Sequence, residues 1–115
     1  MTIRDFYVSI NGSYDDFLSR VGTEERAKKY IKMFTMDPTY NELNSAIAAQ
    51  DFVSAFRAIH TLKGLAGNLA FNDFYQSCCA LTEILRTYNG EDYSTALEEV
   101  NCKYQAIINA VGQLD

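Results

Sequence analysis

The chain has 115 residues, 48% of them hydrophobic and 13% aromatic, and carries a formal net charge of −5. That size and apolar content suit one ordinary domain with a real core, while the acidic balance argues against nucleic acid, which needs a basic face, and the lack of a run of about 18 apolar residues argues against a membrane span. Met1 to Asp5 lack the basic-then-apolar pattern of a signal peptide, and Cys78, Cys79 and Cys102, an odd set without CxxC spacing, read as small hydrophobes in a reducing cytoplasm.

Met1 to Gly12, with Phe6, Tyr7, Val8 and Ile10, is open between a short helix and an irregular lead-in packed across one end of the domain. Asn11-Gly12 signals a turn. Ser13 then reads as an N-cap, with Asp15 and Asp16 favourable in the first turn. Tyr14, Phe17, Leu18 and Val21 face inward until Gly22 ends that helix. Thr23 caps the next, over residues 24–35, whose apolar face is Ala27, Tyr30, Ile31 and Phe34. Lys28, Lys29 and Lys32 take the opposite side, which suits a solvated face or an acidic partner.

Asp37-Pro38 joins a capping aspartate to a proline in the first helical position. It predicts a helix over residues 38–50 with Tyr40, Leu43, Ala46 and Ile47 inward. Asp51 caps a helix over 51–69, Ala70 and Phe71 make a tight connection, and Asn72 caps a helix over 73–88. On the latter, Phe74, Cys78, Leu81, Leu85 and Tyr88 recur at spacings of four and three. Asn89-Gly90 closes it, and a last helix over 92–113 carries Tyr93, Leu97, Val100, Tyr104, Ile107, Val111 and Leu114. Short connections between long helices favour antiparallel neighbours. The predicted fold is all-α: an antiparallel up-and-down four-helix bundle over about 37–114, with short additional N-terminal helices covering one end from about 1–36, in a single domain of residues 1–115.

His60 is the only histidine. Phe52, Ala55, Ile59, Leu62, Ala66 and Leu69 form the core stripe of its helix. His60 lies off that stripe, on a neighbouring one with Val53, Phe56, Lys63, Gly64 and Gly67. At about 100° per residue, Lys63, Gly64 and Gly67 fall within roughly 60° of His60 around the axis. A side chain at position 64 leans back over the preceding turn, toward His60. Each mid-helix glycine costs on the order of 1 kcal/mol against alanine, so two of them ask for a reason. Close approach of another helix is one; clear space around an accessible imidazole is the other. Histidine is largely neutral at pH 7 and free to act as a nucleophile. Lys63, about 4.5 Å further along the axis, supplies the positive charge that a transferring phosphoryl group needs.

A hairpin turning near Phe71 sets His60 level with Thr82, whose hydroxyl either reaches an imidazole nitrogen or bonds back to the Cys78 carbonyl. Tyr75 and Cys79 also lie on the facing helix.

The run His60-Thr61-Leu62-Lys63-Gly64-Leu65-Ala66-Gly67-Asn68-Leu69 resembles the signature of histidine-containing phosphotransfer (HPt) domains, His-x-x-Lys-Gly followed by small residues. Ser9-Ile10-Asn11-Gly12-Ser13-Tyr14, Phe34-Thr35-Met36-Asp37-Pro38 and Ala80-Leu81-Thr82-Glu83-Ile84-Leu85-Arg86 also look like small proteins of this kind, so the resemblance covers nearly the whole chain. Ala70 stands where many members have glycine. The resemblance implies a phosphocarrier of a multistep two-component phosphorelay. His60 would accept a phosphoryl group from one receiver-domain aspartate and give it to another. The implied partners are response-regulator receiver domains and a hybrid sensor histidine kinase. The magnesium ion used in such exchanges sits on the receiver side, so no metal or cofactor is expected on this chain. Lys63 would stabilise phosphoryl charge and Gly64 would leave room for the group and its donor. Many members place a polar residue near the position of Thr82, where it would hold Nδ1 and leave Nε2 outward. Val53, Phe56, Gly64 and Gly67 would form the docking face, with Leu65 as a further candidate and Arg57 and Asn68 as a polar rim. A cytoplasmic, monomeric carrier without its own ATP site is the expectation, and Met1 with the compact length points to a free-standing one. The alternative is a helical interaction module that binds signalling partners without phosphoryl transfer. A metal site built from His60, Cys78 and Cys79 has one histidine and no recognisable ligand spacing.

Overall fold

Four helix starts follow the same local chemistry in the computed structural model, which describes residues 1–115. The side chains of Thr2, Ser13, Thr23 and Asp51 each accept a hydrogen bond from the backbone N–H three residues on, pairing a donor that the first turn leaves free. Seven helices result: α1 (Ile3–Ser9), α2 (Tyr14–Val21), α3 (Glu24–Met36), α4 (Thr39–Ala48), α5 (Phe52–Asn68), α6 (Asn72–Arg86) and α7 (Ser94–Val111). Before α4, Asp37 Oδ1 accepts from the Thr39 N–H at 2.9 Å, with Pro38 already in helical conformation at φ −79°, ψ −6°.

The lead-in is thus a helix, because Thr2 caps it and Ile3, Phe6 and Tyr7 are buried along one side. Asn72 does not cap α6. It is the first helical residue, and Phe71 takes the cap position without a side-chain bond. The reason is packing. Phe71 is fully buried, with its ring 5.9, 5.8 and 5.4 Å from those of Phe6, Tyr7 and Phe34. At its other end α6 stops at Arg86, and Tyr88 leaves the helix to stack on Phe52 at 4.2 Å. The last helix starts at Ser94, later than residue 92, because Asp92 Oδ1 accepts from both the backbone N–H and the hydroxyl of Ser94.

Helix α5 is the centre of the bundle. It packs on α4 and α6, and α6 packs on α7. Tyr40 of α4 stacks on Tyr104 of α7 at 3.6 Å and donates to Asn101 Oδ1 at 2.8 Å, which closes the ring of four. The α5–α6 pair is antiparallel about Phe71. Gly67 faces Tyr75, each four residues from Phe71, and Phe56 lies under Arg86, each fifteen residues away. Ala55, Ile59, Leu62, Ala66 and Leu69 of the expected stripe are buried, and Ala58 joins them on the α4 side. Phe52 is half-buried at the rim. Burying a leucine or isoleucine fully is worth about 1.5–3 kcal/mol, so this stripe holds the helix more strongly than its own propensity does.

The short helices α1 and α2 lie across the end where α5 turns into α6. That turn is a Schellman motif. The Phe71 N–H bonds the Ala66 carbonyl and the Ala70 N–H bonds the Gly67 carbonyl, at 3.0 and 3.2 Å. Ala70 sits at φ +57°, a conformation that costs an alanine roughly 1–2 kcal/mol. No helix is long and apolar enough to cross a membrane.

Candidate functional site

His60 is exposed on the outer flank of α5 while its neighbour Ile59 is fully buried. The core stripe therefore fixes which way the imidazole points. The two glycines beyond it do different things. A Cβ built on Gly64 meets no atom within 4 Å, whereas one on Gly67 lies 3.3 and 3.4 Å from Cε1 and Cδ1 of Tyr75. Gly67 is explained by the close approach of α6. Gly64 is not, and its bare backbone leaves open space one turn from His60.

Lys63 is half-buried and enters no ion pair. Its rotation about the axis places it with Phe56 and Gly67, on the side toward α6. The Phe56 ring lies 5.8 Å from the imidazole. Arg86 also stands over the Phe56 ring, its guanidinium carbon 5.5 Å from the ring centroid and its Nη2 3.1 Å from Glu83 Oε1. Arg86 was not among the expected site residues. The same count from Phe71 that sets Thr82 level with His60 sets Arg86 level with Phe56, so the signal was in the sequence.

Thr82 lies on α6 between the partners of the Gly67–Tyr75 and Phe56–Arg86 pairs, but its hydroxyl bonds back along its own helix. It is fully buried and donates to the Cys78 carbonyl at 2.6 Å. It is not the group that orients His60. An inward-facing hydroxyl on the core side of α6 finds its nearest acceptor one turn back on its own helix. Tyr75 covers Gly67, and the neighbouring Cys79 thiol raises its phenol pKa above the ordinary value. Cys78 is sealed in the core, away from the exposed imidazole, and no group of three or more His, Cys, Asp or Glu side chains is disposed to hold a metal ion.

The expected docking residues divide between two sides. Val53 is 65% exposed, and with Phe56, Gly64 and Gly67 it surrounds His60 along the outer flank. Arg57 is exposed on the side toward α4, where it lines a polar cleft of about 400 Å³ with Thr39, Glu42, Ser54 and Thr61. Asn68 is exposed too, beside a groove of about 540 Å³ that it and Leu65 share with Arg20, Tyr30 and Met33 of α2 and α3. Arg20 was also missed. Nothing local in the sequence links a basic residue in the last turn of α2 to the end of α5.

An unroofed imidazole beside a cation can attack a phosphoryl group in line. The model of the Hpt domain family matches residues 33–115. The chain belongs to the Hpt family. No curated protein and no solved structure matches it significantly. Hpt domains act in histidine phosphotransfer within phosphorelays, as phosphocarrier modules that interact with receiver domains and kinases. In this Hpt chain the match takes in all of α4 to α7 and the end of α3, and leaves α1 and α2 outside it. The αL conformation of Ala70 also accounts for the glycine that many Hpt domains carry there.

Proposed function

We propose that this Hpt domain carries a phosphoryl group on His60 between receiver-domain aspartates of a multistep two-component phosphorelay in the cytoplasm. The lone pair of an imidazole nitrogen attacks phosphorus as the bond to the aspartyl oxygen breaks, and the receiver carboxylate leaves with that electron pair. The reverse exchange loads the next receiver. Lys63 offsets charge on the equatorial oxygens, and the bare backbone at Gly64 leaves room for the group and its donor. Val53, Phe56 and Gly67 supply the nearest docking contacts, with Arg57 and Asn68 further out. Residues 1–115 act as one unit, supplied by a receiver or a hybrid sensor kinase rather than by an ATP site of their own.

The observation that carries this reading is the exposed His60 with open space at Gly64. Mixing the protein with a phosphorylated receiver should move acid-labile, alkali-stable phosphate onto the chain. Labelling that survives His60→Gln ends the assignment. A chain that binds the receiver and takes no phosphate is the non-catalytic interaction module instead.

A further inference from the structure

The Schellman turn after α5 satisfies the carbonyls of Ala66 and Gly67, and the Leu69 N–H satisfies that of Leu65. It leaves three carbonyls in succession, those of Asn68, Leu69 and Ala70. Each is taken by the N-terminal segment. Arg20 Nη1 donates to the carbonyls of Asn68 and Gly67 at 2.8 and 2.9 Å. The Tyr7 hydroxyl donates to the Leu69 carbonyl at 2.8 Å. The Ser13 N–H donates to the Ala70 carbonyl at 3.0 Å. One residue into α6, Asp73 Oδ1 accepts from Asn11 Nδ2 at 2.7 Å. All these donors lie in α1, α2 and the turn between them, outside residues 33–115.

The chemistry of the donors fits the place. A helix C-terminus carries partial negative charge, which a cation offsets, and Arg20 brings its guanidinium there. Tyr7 is buried, and burial pushes its phenol pKa far up, so it stays a neutral donor. Gly12 abuts the same turn: a Cβ there would lie 2.6 Å from the Ala70 carbonyl oxygen. The stretch being held is also the weakest in α5. Gly64 and Gly67 both fall between His60 and the helix end, and each gives up about 1 kcal/mol of helix propensity. Lys63 lies in that same stretch. A terminus with unpaired carbonyls and poor helix formers frays, and fraying here would blur the spacing of Lys63 and Gly64 from His60.

We propose that α1 and α2 are a clamp on the end of the His60 helix, with Arg20 and Tyr7 as positioning residues for phosphoryl transfer. The inference that transfer depends on the clamp rests on the reading of His60 given above; the clamp itself does not. The test uses the full chain as wild type, Arg20→Gln, Arg20→Lys and Tyr7→Phe. Amide hydrogen exchange is read at residues 69–71 and, as a control, in α7. Transfer from a phosphorylated receiver is followed over a range of receiver concentrations.

Exchange at residues 69–71 should quicken about two- to fivefold in Arg20→Gln and Tyr7→Phe, the range expected for a lost helix-end interaction, with α7 unchanged. Arg20→Lys, which keeps the cation, should recover part of the protection. The maximal transfer rate should fall by a similar factor while the half-saturating receiver concentration holds. Unchanged exchange overturns the clamp, and so does an equal rise in α7, which marks global loosening. Faster local exchange with unaltered transfer, or a change confined to half-saturation, overturns the positioning role. A wild type that takes no phosphate overturns the reading of His60 and leaves the exchange data to decide the clamp.

Discussion

Replacing Gly64 should make the protein more stable and less active at once. A mid-helix glycine-to-alanine change gains about 1 kcal/mol when the methyl meets nothing, and at Gly64 no atom lies within 4 Å of the added Cβ. For a chain of this length, unfolding entropy of roughly 2.1 cal/mol/K per residue converts that gain to a Tm rise of about 4 °C. Gly67→Ala is the internal control. Its Cβ comes within 3.3 Å of the Tyr75 ring, so the ring must yield by a few tenths of an ångström. We expect less than half the gain at Gly64, about 0.5 kcal/mol at most. Gly64→Gln keeps part of the propensity gain, about 0.5 kcal/mol, but sends a long side chain back toward His60. Phosphotransfer from a receiver should drop at least about tenfold, an effect of about 1.4 kcal/mol on the transition state. Thermal melts followed by circular dichroism and transfer from a labelled receiver read the two effects separately. A destabilised Gly64→Ala, or a Gly64→Gln that transfers at the wild-type rate, would refute the assignment of Gly64 to clearance.

Lys63→Met keeps a chain of similar length and removes the charge. Transfer should fall about tenfold, below the loss seen when a fully buried charge-stabilising donor is removed, with Tm nearly unchanged; Lys63→Arg should recover part of the rate. Thr82→Val forfeits only the bond to the Cys78 carbonyl, costing about 1 kcal/mol in a melt, and should transfer phosphate like wild type; a large loss of transfer would restore Thr82 to the site. The Asp51 pKa is depressed, first by the side-chain and then by the backbone hydrogen bond from Ser54. A depressed carboxyl stabilises the fold above its ordinary value of 3.8, and that contribution is lost as pH falls through the lower folded value. Protection factors of amides at the start of α5, with the intrinsic exchange rate divided out, should therefore be lower below about pH 4 than at pH 6, and Asp51→Asn should flatten that dependence.

The parts of the fold set by periodicity and by short polar caps were legible in the sequence. The core stripe of α5 is buried as its spacing of three and four requires, and that alone turns His60 outward. Ser13, Thr23 and Asp51 cap as their residue types imply. The level of Thr82 opposite His60 follows from counting away from Phe71. Its side-chain direction does not, because a hydroxyl next to the core chooses among acceptors that only the packed structure brings near. Phe71 displaced Asn72 from the cap position for a related reason: burying an aromatic ring among three others outweighs one exposed capping bond. The partners of Tyr7 and Arg20 were not legible. They are carbonyls 62, 47 and 48 residues away, and backbone carbonyls carry no sequence signal. Gly64 and Gly67 look alike in the sequence, and only the position of Tyr75 separates them.

An exposed His60 with clear space at Gly64 leads us to expect phosphate on that imidazole. The most direct measurement is to load the protein from a phosphorylated receiver, fragment it under alkaline conditions and locate the added mass. We expect one phosphoryl group, confined to His60, absent from His60→Gln and returned to fresh receiver on mixing. Phosphate found on a serine, threonine or tyrosine, or no phosphate on a chain whose imidazole is open to solvent, would contradict it.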